Sequence, residues 1–252
     1  MIFSRKNKLV FIKGRKVGGT SLEIRLSSIC DGDDIITPIT PVDERQRYES
    51  TGRIAQNFGL GADQYSAYVD VIQNSESKKW MSAKSPVGKY YNHMSLRELV
   101  RSLGEIPDDL RVICVERSPY YKVISLANWS ANSAVYRDTG AIQNVDIEGI
   151  RTKIDQLLES GAVKKVYNRH LYVDANDVVR AELLRFENLG AEYEKLMLAL
   201  GVSQPLPLPH VKKGLQSERL NVVGYLRRDQ IEKIHLIFER EFEDFGYAKV
   251  AL

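Results

Sequence analysis

An α/β fold, with a mostly parallel central sheet and helices on both faces, is what this sequence predicts, and three observations predict it. Leu9-Val-Phe-Ile12 is a short apolar run of the kind that forms a strand covered on both faces, and Gly18-Gly19 and the polar pair Thr20-Ser21 of a helix start follow it. Arg111 to Glu116 repeats the design, an apolar strand ending in polar residues, after which Pro119 suits the first turn of a helix. Residues 226 to 245 carry Leu226, Ile231, Ile234, Ile237, Phe238 and Phe242 at helical spacing and read as one long amphipathic helix covering the sheet. Strand–turn–helix units of this kind place a ligand site at the carboxyl ends of the strands.

The first unit is the richest in chemistry. Gly18 and Gly19 let the backbone turn tightly and approach a ligand, and Thr20 and Ser21 sit where a helix begins. The free N–H groups of that first turn, the helix dipole and two hydroxyls point at an anion entering over the glycines, with Lys16 as countercharge. The nearest familiar motif is the Walker A loop, G-x-x-x-x-G-K-[ST]. Gly14 and Gly19 keep its spacing, but Thr20 stands at the lysine position and the lysine has moved ahead of the glycine pair, to Lys16. A nucleoside triphosphatase is therefore disfavoured. An ordinary glycine-containing strand-to-helix turn is the alternative that the glycines alone allow.

Residues 31 to 110 are less regular. Asp31-Gly-Asp-Asp34 marks a turn, Ile35-Ile36 begins a short strand, Pro38 and Pro41 break it, and Asp43 to Gly61 reads as an irregular segment. Trp80-Met-Ser-Ala-Lys84 reads as another strand. A helix is predicted over 96–103, with Ser95 as N-cap and Glu98 completing a capping box, which leaves His93 just before the helix start.

The second unit delivers Arg117 at its strand end, and Ser125 lies eight residues on, about two helical turns into the following helix. A guanidinium fork and a hydroxyl can clamp one phosphate. Alone, such an arginine is more often a surface or ion-pair residue, and its value comes from the pairing with the first loop. Beyond it, Glu182 to Phe186 reads as a strand, and Tyr193 to Leu200 as a helix closed by Gly201. Three prolines in Gln204-Pro-Leu-Pro-Leu-Pro-His210 enforce an extended path into Lys212-Lys213-Gly214.

Taken together, Lys16-Val-Gly-Gly-Thr-Ser21 and Arg117-Ser-Pro-Tyr-Tyr-Lys-Val-Ile-Ser125 resemble the two signatures of sulfotransferases that use 3′-phosphoadenosine 5′-phosphosulfate, PAPS. The likeness is closer to the carbohydrate-type and bacterial members than to those acting on small phenols. Leu184-Arg-Phe-Glu-Asn-Leu189, the 208–214 loop and the closing 228–247 segment are weaker matches that extend it over most of the chain. The resemblance implies a P-loop nucleotide-kinase-like fold in a single domain, 1–252, with 31–110 as an acceptor-side insertion. It implies that Lys16, Val17, Gly18, Gly19, Thr20 and Ser21 bind the 5′-phosphosulfate and that Arg117 and Ser125 bind the 3′-phosphate. Lys212, Lys213 and Gly214 become secondary cofactor residues in a late basic loop, although a solvated lysine pair reads as well. Lys122 stands where the family has an arginine, keeping the charge but losing the planar fork, and is not assigned to the cofactor. PAPS is the expected donor, PAP the product, a hydroxyl on a carbohydrate the expected acceptor, and no metal is implied.

Sulfuryl transfer asks for a base that takes the acceptor hydroxyl's proton, and histidine's ordinary pKa suits that near neutrality. Of four histidines, His93 is the expected base, because some family members use a histidine between the two signatures. Asp43, Glu44 and His170 are alternative bases, and His93 as a mere helix-end packing residue remains open. Lys16 is placed to stabilise charge on the leaving phosphate oxygen.

Bulk properties fit without demanding this reading. A chain of 252 residues can bury a full core, and 36 basic against 33 acidic residues leave +3, too little for a nucleic-acid binder unless strongly clustered. Two cysteines, Cys30 and Cys114, make no disulfide framework. No run approaches the length of a membrane span or a signal peptide, so the expected location is cytoplasmic. A phosphate-donor kinase and a non-catalytic nucleotide-binding module are the rival functions.

Overall fold

The first twelve residues fold back on themselves. In the computed structural model, which describes residues 1–74, 83–104, 107, 109–139, 145–209 and 221–252, β1 (Ile2–Ser4) and β2 (Leu9–Ile12) form an antiparallel pair. Ile2 faces Phe11 and Ser4 faces Leu9 across the pair. The intervening charged turn uses Lys8 at φ +48°. β1 also pairs antiparallel with β3 (Ile35–Ile36), and β2 runs parallel to β4 (Arg111–Glu116), with Leu9 opposite Arg111 and Ile12 opposite Cys114. β5 (Glu182–Arg185) completes the order β3-β1-β2-β4-β5.

The described chain is therefore α/β with a five-stranded mixed sheet. Parallel pairing, expected throughout most of the sheet, is seen for β2 with β4, whereas a tight reversal forces β1 and β2 to run antiparallel. β1 escapes the sequence pattern because three residues are too few to display a period. Every residue of β1 and β2 is buried, which explains the continuous rather than alternating apolar run of β2.

The α-helices among the described residues, in chain order, are α1 (Gly19–Ser27), α2 (Pro41–Thr51), α3 (Ala62–Asn74), α4 (Leu96–Leu103), α5 (Pro119–Thr139), α6 (Ile147–Glu159), α7 (Arg169–Tyr172), α8 (Leu189–Ala199), α9 (Val222–Tyr225), α10 (Arg228–Ile237) and α11 (Glu239–Phe245). Packing groups the described residues into two compact units. The first comprises Met1–Lys13, Gly18–Val115 and Leu171–Val211, and the second Gly14–Val17, Glu116–His170 and Lys212–Leu252. The sheet belongs to the first unit, apart from Glu116 at the end of β4. The second unit is helical, with a core built from Val123, Ile124 and Ala127 of α5, Ile150 and Ile154 of α6, and Ile231, Ile234 and Phe238 near the chain's end. No helix among the described residues is long and apolar enough to cross a membrane.

Several elements follow their sequence signals. Ser95 caps α4, accepting from the Glu98 amide while the Glu98 carboxylate accepts from Ser95 N–H, the reciprocal capping box. Gly201, one residue past the cap of α8, takes φ +82°.

Two expectations are corrected. Residues 41–51 form α2 where an irregular segment was expected: Pro41 occupies its first turn, Thr40 caps it, and Gly52 at φ +68° ends it. The signals for both ends stand in the sequence, but the buried face carries Asp43, Glu44 and Arg47, so no apolar stripe announces the helix. The single helix expected over 226–245 is two, α10 and α11, separated at Phe238 with φ −106° and ψ 16°. The apolar period continues through the break and so conceals it. Residues 80–82 of the expected strand Trp80–Lys84 lie outside the described residues, and Ala83 and Lys84 are not in a strand.

Candidate functional site

β2 leads into the glycine turn, whose two ends are joined by charge. Lys13, just after β2, pairs with Glu23 of α1 at 2.7 Å, and both side chains are buried. Glu23 also receives the Met1 ammonium at 2.7 Å and lies 3.5 Å from the Arg47 guanidinium. Burial alone would raise the Glu23 carboxyl, but Lys13, the terminal ammonium and Arg47 outweigh it and hold the pKa well below the usual carboxylate range. Arg47 is in turn paired with Glu44 at 2.9 Å. The Lys13–Glu23 pair ties the end of β2 to α1 across the turn.

Within that loop φ is positive at Lys16 (+62°) and Gly18 (+73°), with Val17 between them at a negative value. Gly18 is the N-terminal boundary residue of α1 and supplies no side-chain cap, and no acidic residue occupies the first turn. Thr20 and Ser21 are half-buried there. Gly18 also meets a packing demand, since a Cβ built on it would lie 2.4 Å from Cε2 of Phe186. The ring belongs to the Leu184–Leu189 segment that the sequence singles out.

His93 lies in the same unit, in the turn before α4, with φ +62°. Its Nδ1 is 2.9 Å from the carbonyl oxygen of Lys13. A carbonyl only accepts, so this contact places the proton on Nδ1 and, in the neutral ring, the basic lone pair on Nε2. Lys16 and His93 are two of the five non-glycine residues with positive φ among the described residues. A left-handed backbone is uncommon for such side chains and recurs where structure over-determines it at functional positions.

The second unit holds Gly14–Val17 and the β4–α5 junction. α5 is buried nearly all round through its first three turns, except for a slanted stripe of partly exposed residues at helical spacing, Tyr121, Ser125 and Trp129. At one end of the stripe the guanidinium carbon of Arg117 lies 5.8 Å from the centroid of the Tyr121 ring. At the other end the Lys16 ammonium stands 5.3 Å over the Trp129 ring. Eight residues of helix put Tyr121 and Trp129 about 12 Å apart, with Ser125 midway. Both contacts fall within cation–π range.

Lys122 of the same helix belongs to a buried polar cluster. Lys122 is completely buried between Glu116 and Glu241, at 2.6 Å from each. Its charge therefore serves the core. Burial pushes the Glu116 carboxyl up to about 7 against the pull of Lys122, with Glu241 adding to the rise. Asn168, fully buried, accepts from Arg15 N–H at 2.8 Å, and its amide donates to Arg15 C=O at 3.1 Å and to Glu116 Oε1 at 2.7 Å. Its own backbone N–H reaches Glu241.

No protein-family model, curated protein or solved structure matches this chain. Its candidate site is thus read from its own residues. Lys16, Arg117 and Ser125 are brought to one helix face, and Val17, Gly18, Gly19, Thr20 and Ser21 follow Lys16 directly in the chain, Val17 being buried. Lys212, Lys213, Gly214 and His210 lie outside the described residues. Glu44, an alternative base, is buried and held by Arg47, Ala55 N–H at 2.7 Å and Ile39 N–H at 3.1 Å. Asp43 is buried at the start of α2, where the Thr40 hydroxyl donates to it at 2.6 Å. His170 is exposed and stacked on Tyr167 with centroids 6.3 Å apart. His235 meets the Tyr120 hydroxyl at 2.5 Å.

Sequence reasoning missed Tyr121, Trp129 and Asn168. The first two carried a signal, their four-residue spacing with Ser125; Asn168 carried none, because its partners are remote in the chain.

Proposed function

We propose that this chain transfers a sulfuryl group from PAPS to an acceptor hydroxyl, with a carbohydrate as the acceptor class and a P-loop nucleotide-kinase-like arrangement around the donor. One observation carries the reading: Lys16 and Arg117, 101 residues apart in sequence, each stand against a ring of the same α5 stripe, Trp129 and Tyr121, and Ser125 lies midway between those two residues along the helix. Two fixed cations along one face suit a ligand with two anionic groups on one frame, as a nucleoside bisphosphate has.

In this reading the N–H groups from Gly18 to Ser21 hold the 5′-phosphate, and Arg117 and Ser125 hold the 3′-phosphate. The acceptor oxygen attacks sulfur in line, the bond from sulfur to the bridging phosphate oxygen breaks, and PAP leaves with the negative charge. Lys16 stabilises that developing charge, and the acceptor's proton passes to Nε2 of His93. Support for His93 is its Nδ1 contact with Lys13, which orients the ring and sets the tautomer. Lys13 stands three residues before Lys16 in the chain.

The test is a mass-spectrometric screen for sulfated products from PAPS across polysaccharides, lipids and small alcohols, with ATP as the competing donor. Sulfated carbohydrate is the expected outcome. Turnover of ATP exceeding that of PAPS would establish the kinase instead, and donor binding with no transfer to any acceptor would leave a nucleotide-binding module. Lys16→Ala should lower turnover strongly with donor affinity less affected, and His93→Gln should abolish transfer with donor affinity intact.

A further inference from the structure

The buried amide of Asn168 touches both segments to which the proposed function assigns anion binding. It forms two hydrogen bonds with the backbone of Arg15, the residue before Lys16, and one with the carboxylate of Glu116, the residue before Arg117. Both amide hydrogens and the carbonyl oxygen are thereby used, so the side chain has one orientation available to it. Glu116 is fixed on its other oxygen by Lys122, which is fixed in turn by Glu241, and Glu241 accepts from the backbone N–H of Asn168 and of Arg169. The result is a closed ring of buried contacts. Surface residues flex, whereas a buried network with every member engaged holds its geometry, because each lost contact strands a desolvated polar group.

We propose that Asn168 is a positioning residue that sets the separation between the Lys16 and Arg117 anion sites, and so makes the protein selective for a nucleoside carrying two phosphates over one carrying a single phosphate. This rests on the proposed nucleotide site. Two rigidly spaced half-sites bind a matching bisphosphate with a chelate gain, since the second contact is intramolecular; each half-site alone gives no such gain. Loosening the spacing removes the gain while leaving each half-site its own cation.

The test compares Asn168→Ala with the parent by calorimetry on adenosine 3′,5′-bisphosphate, adenosine 5′-monophosphate and adenosine 3′-monophosphate. The variant should lose about 10- to 100-fold in affinity for the bisphosphate and less than about threefold for either monophosphate. A merely structural role predicts equal losses for all three, and that result overturns the proposal, as does an unchanged bisphosphate affinity. Hydrogen exchange on the ligand-free protein separates the two readings. Asn168→Ala should speed exchange of the Arg15 amide by at least about tenfold, the equivalent of about 1.4 kcal/mol, whether or not any nucleotide binds. If the parent binds no adenosine bisphosphate, the nucleotide site falls; if exchange at Arg15 is unchanged, the positioning role falls. Asn168→Ser, which keeps a hydroxyl at the position, replaces the alanine variant in both measurements should thermal denaturation show that the latter does not fold.

Discussion

Replacing Gly18 by alanine tests how the glycine turn is built, and its cost can be worked from two independent features. The backbone at Gly18 has φ +73° and ψ 10°, a left-handed conformation that costs an L-residue roughly 1–2 kcal/mol. The new Cβ would also lie 2.4 and 2.7 Å from two ring carbons of Phe186, where carbon atoms prefer about 3.5–4.0 Å. Relieving that overlap means moving the ring by about 1 Å, and overpacking of this kind costs typically ~1–3 kcal/mol. Together the terms predict a loss of about 2–5 kcal/mol, a large share of the ~5–15 kcal/mol of a typical domain. Urea denaturation followed by circular dichroism measures it, and a double-mutant cycle divides it. In a Phe186→Ala background the steric term vanishes, so Gly18→Ala should then cost only about 1–2 kcal/mol. A loss below about 0.5 kcal/mol in the parent background, or the same cost in both backgrounds, would refute the close approach of ring and turn.

Three further outcomes are expected. Glu23→Gln leaves Lys13 and Arg47 without their shared carboxylate in a dry setting and should cost about 3–5 kcal/mol at pH 7. Because the Glu23 pKa is depressed on folding, its contribution is present above the ordinary value of 4.5 and is lost as pH falls toward the depressed one, so the parent and variant should converge in denaturation at low pH. Glu116 shifts the other way: raised from 4.5 to about 7, it makes the folded state bind more protons than the unfolded one in that window. The parent should therefore lose stability relative to Glu116→Gln as pH rises from 4.5 to 7, by at most about 1.4 kcal/mol per pH unit, and a pH-independent difference would contradict the shift. Arg117→Ala should weaken binding of adenosine 3′,5′-bisphosphate far more than of adenosine 5′-monophosphate in calorimetry, and equal losses would count against a 3′-phosphate clamp.

Much of the candidate site was legible because it depends on near neighbours. The apolar run of β2, the glycine pair and the hydroxyls of α1 stand within fifteen residues, and the Ser95–Glu98 box spans four. The helix α2 was hidden for the opposite reason. Its ends carry ordinary signals, but its buried face is charged, and only the neighbourhood of Glu23 makes burying Arg47 and Glu44 favourable. The extra pair of phenylalanine and glycine shows a mixed case: the turn predicts Gly18, while Phe186 adds a steric reason that no local pattern contains.

The sequence by itself determined the strand, turn and helix start at 9–23, the strand and proline-led helix from Arg111, and the absence of a lysine at the Walker position, since each follows from residues a few positions apart. Only the tertiary structure decided that β1 folds back to make the sheet mixed, that Lys122 is buried between two glutamates, and that Asn168 holds Arg15 across 153 residues of chain. A polar residue's identity does not reveal whether it will face water or a partner. That depends on what the rest of the chain brings within hydrogen-bonding distance, and on the cost of leaving a desolvated group unmet when it does not.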